Sequence, residues 1–186
     1  CLVLAGFVFY RPDRLDDGLA RITVMDAGQG LSVLIQTRDR NLLFDTGTAQ
    51  AAQTGIVPSL NAMSVRRLDM LILSHHDSDH DGGLEAVSDI EIGETLAGQP
   101  EFYPNAKFCA EAQWQWDGVD FELLRSSENS GGEDNDKSCV LRVVSDGQAL
   151  LVTGDLGVKG EAELVERYGS SLYSQVLILG HHGSNT

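Results

Sequence analysis

The stretch "LDMLILSHHDSDHDGG", residues 68–83, decides the reading of this chain. Its first half is a continuous apolar run, the pattern of a strand covered on both faces. The run stops at two histidines. Six of the seven residues from His75 to Asp81 are then ionisable. Groups so close together repel one another unless something offsets their charge, and a cation is the simplest candidate. His75, Asp77 and Asp79 stand at alternate positions, with His80 following directly. Two ligands on one helical face would stand four apart. Alternation instead fits an extended loop leaving a strand, with every second side chain on one side. His75 and Asp77 are then expected at one site, and Asp79 and His80, past the bend at Gly82–Gly83, at a second. Imidazole with carboxylate suits Zn²⁺, Mn²⁺ or Fe better than Ca²⁺, and the carboxylates tilt the choice toward Mn²⁺. His76 and Asp81, taken singly, read as solvated spare charges.

Working outward, polar groups recur wherever an apolar run finishes. Asp26 follows "RITVM", Asp45 follows "NLLF", Asp155 follows "ALLVTG", and His181 and His182 follow "SQVLILG". Strand ends are where sheet proteins collect reactive groups on loops. Period-two alternation marks strands around residues 22–24 and 33–35, and "DGQ" between "SCVLRVVS" and "ALLV" marks a hairpin. "KGEAELVERYG" has helical spacing and a glycine stop. Residues 49–66 read as a helix broken by Gly55 and Pro58. Residues 125–137 form a polar loop, and residues 94–118 carry no clear pattern. Trp114 and Trp116 share one facing, so they either pack on a sheet or offer a stacking surface to bases.

The totals set bounds. A length of 186 residues with 42% hydrophobic content suits one globular domain with a sizeable core. A net charge of −15 repels nucleic acid and anionic membranes at long range. The arginine pairs Arg38/Arg40 and Arg66/Arg67 are the best candidates for phosphate contact, although exposed surface arginines are commonplace. The first ten residues are mostly apolar and are followed by Arg11 and Arg14. Ten residues do not span a bilayer. The expectation is a membrane-proximal segment over residues 1–20, the tail of a membrane helix with its basic flank. An edge strand and a lipid-anchored Cys1 are the alternatives. Of three cysteines, none forms a C-x-x-C pair. Cys109 and Cys139 are either a disulfide or two buried thiols.

"SHHDSDHDGG" resembles the H-x-H-x-D-H metal motif of the metallo-β-lactamase superfamily, with Asp77 where the second histidine usually stands. "LLFDTG", "LLVTGDL" and "LILGHHGS" are similar to that superfamily's other site motifs, in the same order. Together with "MDAGQG" and "SCVLRV", the set resembles the C-terminal domain of the ComEC family of DNA-uptake membrane channels, from about residue 21 to the end. The resemblance implies an α+β, αββα sandwich over residues 21–186, incomplete at its C-terminal end in this chain. It implies metal ligation by His75, Asp77, Asp79, His80, Asp155, His181 and His182, with Asp155 bridging and only one of His181 and His182 needed. Asp45 would fix a ligand histidine's tautomer, and Asp79 and Asp45 would be the catalytic carboxylates. Asp26 would lie beside the site without ligating.

The implied cofactor is one or two divalent ions, Mn²⁺ or Zn²⁺. The implied activity is a metal-dependent phosphodiesterase, a nuclease that degrades the non-transported strand during natural transformation. Metal-bound water, its pKa lowered from about 16 toward ~7, would be the nucleophile. Single- or double-stranded DNA, the membrane channel region of the same polypeptide and the DNA-uptake machinery would be the partners, at the inner membrane on its periplasmic side. Two departures from the family pattern stand out. No histidine lies between His80 and His181, which leaves the first metal position to His75, Asp77 and Asp155 with Asn135 or Ser138 nearby. Leu31 also follows Gly30 where an aspartate is common. These departures keep two rivals open: a degenerate metal-binding module that binds DNA or gates the channel, and a small-molecule ester hydrolase.

Overall fold

The computed structural model describes residues 14–126 and 134–179. His181 and His182, and most of the expected membrane-proximal segment, lie outside them. Among the described residues, eleven strands form two sheets. The first has the order β1 (Arg21–Val24), β2 (Val33–Gln36), β3 (Asn41–Phe44), β4 (Arg67–Leu73), β5 (Glu91–Ala97) and β6 (Lys107–Phe108). β1 to β3 are antiparallel neighbours, whereas β3 to β6 run parallel. The second sheet is ordered β11 (Val176–Ile178), β10 (Gln148–Val152), β9 (Val140–Ser145), β8 (Val119–Leu124) and β7 (Ala112–Trp116).

Helices cover the outer faces. A helix begins as α1 (Ala49–Ala51), widens through a π-helical turn (Ala52–Ile56) and ends as α2 (Val57–Ala62). It therefore runs through Gly55 and Pro58, where the sequence pattern suggests a break. The wider turn lies just ahead of Pro58, whose ring and missing N–H would disrupt a regular α-turn. Helix α3 (Leu84–Val87) packs beside it, and α4 (Val158–Tyr168) covers the second sheet.

The alternation of β4 explains the layering. Met70 and Ile72 face the second sheet, in a core with Phe44, Phe121, Leu141, Val143 and Val152. Leu71 and Leu73 face the helices, in a core with Ile56, Leu60 and Val87. Leu151 and Val140 meet Leu164 of α4 on the far side. The result is helix, sheet, sheet, helix, as expected. Trp114 stacks on Phe121 at 5.2 Å, and Trp114 and Trp116 both pack against the inter-sheet core, so packing is their role here. Asp146 and Gly147 close the β9–β10 hairpin with φ of 48° and 72°, the geometry a two-residue turn needs. Cys109 and Cys139 form a disulfide that ties the end of β6 to the start of β9. Among the described residues no helix is long and apolar enough to cross a membrane.

Candidate metal centre

Parallel strands β3 and β4 end side by side, so Asp45 and Ser74 meet at one rim of the first sheet. Asp45 has φ of 58°, a left-handed conformation rare outside glycine and concentrated at functional sites. It is fully buried. One carboxylate oxygen accepts the Ser74 backbone N–H at 2.6 Å. The other accepts the Ser74 hydroxyl at 2.7 Å and His80 Nδ1–H at 2.8 Å.

The chain after Ser74 does not stay extended. The N–H groups of His80 and Asp81 both donate to the Asp77 carbonyl at 2.9 Å, closing a helical turn. That turn folds His80 back over His75, with ring centroids 4.4 Å apart. The local hydrogen bonds override the alternation suggested by the spacing. Two glycines let the turn close: a side chain on Gly82 would strike the Ser78 carbonyl, and one on Gly30 would strike that of Asp79. The "DAGQG" loop is thereby packed against the turn, where Leu31 N–H donates to the Asp79 carbonyl.

The Ser74 hydroxyl donates to Asp45, so at 3.0 Å it accepts from His75 Nδ1–H. Both histidines thus carry a proton on Nδ1 and turn Nε2 toward one point. His75 Nε2 is buried without a hydrogen-bond partner. His80 Nε2 lies 3.2 Å from Asp155 Oδ1. Ligand atoms of His75, His80 and Asp155 all lie within 4.8 Å of one another, and all three residues are buried. Two imidazole nitrogens, one carboxylate oxygen and an orphaned buried acceptor match the donor set of a transition-metal or zinc ion. This group can hold a metal ion.

The electrostatics agree. Burial and the neighbouring His80 hold His75 below its ordinary pKa. Burial also lowers His80, but hydrogen bonds to Asp155 and Asp45 outweigh it and push His80 up to about 10. Two buried carboxylates therefore demand a positive charge at His80, which a proton meets and a divalent ion would meet more fully.

The remaining expected site residues are placed otherwise. Asp77 is exposed, and its carboxylate accepts the Ser78 N–H at 2.7 Å. Asp79 is half-buried on the turn. Neither joins the three-residue group. Asp26 is exposed and accepts the Gly28 N–H. Ser74 is the residue that the sequence reading missed: it orients His75 and anchors Asp45, and its place between strand and first histidine was the available signal. His76 and Asp81 are not spare. The His76 ring donates to Asp81, which also accepts the Tyr103 hydroxyl at 2.6 Å. Burial and Asp81 push the Tyr103 pKa up, keeping that phenol a donor.

The Metallo-beta-lactamase superfamily pattern matches residues 25–186. The chain belongs to that superfamily. It is 69% identical to Competence protein ComA of Neisseria gonorrhoeae, over all of this chain and 27% of that protein. Recombination protein 2 of Haemophilus influenzae is 32% identical over all of this chain and 24% of its own length. The chain thus spans about a quarter of these relatives, and the expected kinship with the competence proteins is met. A solved B3 metallo-beta-lactamase with an active-site glutamic acid superposes with a TM-score of 0.66. At 15% identity, covering 98% of this chain and 84% of that one, it shares the fold.

Proposed function

We propose that this superfamily domain is a metal-dependent phosphodiesterase that acts on DNA within a DNA-uptake protein. The observation that carries the reading is the buried convergence of His75, His80 and Asp155, with His75 Nε2 unpartnered. Kinship to a competence protein supports DNA as the substrate. His75, His80 and Asp155 would hold the ion, Mn²⁺ or Zn²⁺. When bound, it would acidify a water and neutralise phosphate oxygens. Asp45 fixes the His80 ring, and Ser74 fixes His75. Once an ion replaces the His80 Nε2 proton, Nδ1–H groups fixed in this way would keep both Nε2 lone pairs aimed at one point, and such supporting contacts govern affinity. Asp77, Asp79 and one of His181 and His182 are proposed to complete the ligands, with Asp79 and Asp45 as the catalytic carboxylates. The domain would face the periplasm beside the channel region of its own polypeptide, with residues 1–20 next to the inner membrane.

A second reading, a metal-binding module without hydrolysis, is favoured by the three-membered donor group among the described residues. Metal content and cleavage of labelled DNA in Mn²⁺, measured together, separate the two. Cleavage lost in Asp155→Ala supports the phosphodiesterase. Stoichiometric metal without cleavage of single- or double-stranded DNA supports the module.

A further inference from the structure

His75 turns inward to the metal group, and its neighbour His76 turns out. The His76 ring lies parallel to Phe102, with centroids 4.0 Å apart and 19° between planes. Both rings keep about half their surface in solvent: Phe102 is 50% exposed and the His76 side chain 45%. Neither ring is loosely hung. Asp81, only 10% exposed, accepts from His76 Nδ1 and from the Tyr103 hydroxyl. Tyr103 meets His76 edge-on at 5.9 Å. Buried Gln99 accepts the His76 backbone N–H at 2.9 Å and so ties the two segments together. Phe102 itself sits on a 3₁₀ turn, Pro100–Phe102, closed by Tyr103 N–H on the Pro100 carbonyl.

A rigid, half-exposed pair of flat rings one residue from the metal group suits a flat ligand. We propose that His76 and Phe102 form a stacking platform for a nucleobase of a single DNA strand whose phosphodiester enters the metal pocket. This rests on the phosphodiesterase reading of that pocket. The charge distribution points the same way. Arg14, Arg38, Arg40 and Arg67 lie at the opposite rim of the first sheet, held in ion pairs with Asp39, Asp17, Asp69 and Glu91. Those four guanidiniums are engaged away from the metal pocket, and on a protein of net charge −15 base stacking on aromatic rings adds a grip that does not depend on phosphate.

The test compares a phosphorothioate-linked oligothymidylate, which resists cleavage, with an abasic strand of the same linkage and length. Both carry a fluorophore, and affinities are read by anisotropy in Mn²⁺. The base-containing strand is expected to bind more tightly. Phe102→Ala should weaken its binding about ten-fold and leave the abasic strand and the bound Mn²⁺ unchanged. Phe102→Trp should restore the affinity. Equal binding of the two strands, binding of neither, or an unaffected Phe102→Ala variant overturns the platform. Dimerisation lost in Phe102→Ala, without base-dependent binding, assigns the surface to a second copy and also overturns it. Cleavage of an ordinary DNA strand, read in parallel, keeps the two ideas apart. Cleavage with equal affinities sinks the platform alone, and base-dependent binding without cleavage sinks the phosphodiesterase alone.

Discussion

The two rims of the first sheet carry the same acidic residue type under opposite conditions. At the arginine rim, Asp69 accepts the Asn41 N–H and pairs with Arg40 at 2.7 Å, and Asp117 lies 3.6 Å from Arg38. Burial works to raise Asp69, but the Asn41 N–H and Arg40 hold its pKa below the ordinary value. Each guanidinium brings a permanent unit charge, half open to water. At the metal rim, Asp45 and, facing it from the end of β10, Asp155 are buried and share the single imidazole of His80. An imidazole offsets a carboxylate only while it is protonated or its place is taken by an ion. A carboxylate matched by arginine needs nothing more, whereas one matched by histidine leaves a demand that a metal can meet.

The largest expected effect separates the rims directly. Asp45→Ala strands the Ser74 N–H, the Ser74 hydroxyl and His80, and should cost about 3–5 kcal/mol in urea unfolding and about 10–100-fold in metal affinity. Asp69→Ala should cost about 1–2 kcal/mol and leave metal affinity alone, because its guanidinium partners are half-solvated. Equal losses would erase the contrast. Next comes the disulfide, which fastens only the metal rim: Cys139 N–H donates to the Ser74 carbonyl at 3.0 Å. Reduction reopens a span of 30 residues and should cost about 3–4 kcal/mol. Metal titration with and without reductant should show weaker binding as well.

The adjacent histidines sharpen the contrast further. His75→Ala should abolish stoichiometric metal, measured by elemental analysis, while His76→Ala should retain it. The rims should also differ in pH dependence. With chelator present, the His80 contribution is complete below its unfolded value of 6.5 and is lost as pH rises through about 10. His75, held low, has the opposite sign, so stability also falls as pH drops below 6.5. Asp69 acts only in acid: its contribution is present above 3.8 and fades as pH falls through its depressed value. Melting curves of His80→Gln should lose the alkaline slope and keep the acid limb. The smallest effect belongs to Arg38→Ala, whose pairs with Asp17 and Asp39 are exposed and whose contact with the less exposed Asp117 is long, at 3.6 Å. Its small change in melting temperature should vanish in high salt.

Much of the fold was legible along the chain. Continuous apolarity marked β4 as covered on both faces, the "DGQ" turn marked the β9–β10 hairpin, and Gly169 marked the end of α4. The helix through Gly55 and Pro58 was hidden, because a π-turn that absorbs a proline leaves no mark in local propensity. β5 and β6 were hidden too, because β5 buries only Ala97 fully and β6 is two residues long and defined by its neighbours. Within the site, His75, His80, Asp45 and Asp155 stood out as polar groups at strand ends. Ser74 offered only its position between strand and first histidine, since its importance lies in whom it touches.

By itself, the sequence determined that the acids and imidazoles would gather where strands finish, because apolar runs end there and loops begin. Only the tertiary structure decided which of them converge. The turn at Asp77–His80 brings His80 back onto His75, and parallel pairing of β3 with β4 sets Asp45 beneath both. Spacing fixes distance along the chain, but the direction of a side chain depends on the backbone hydrogen bonds that its loop finds in the folded protein.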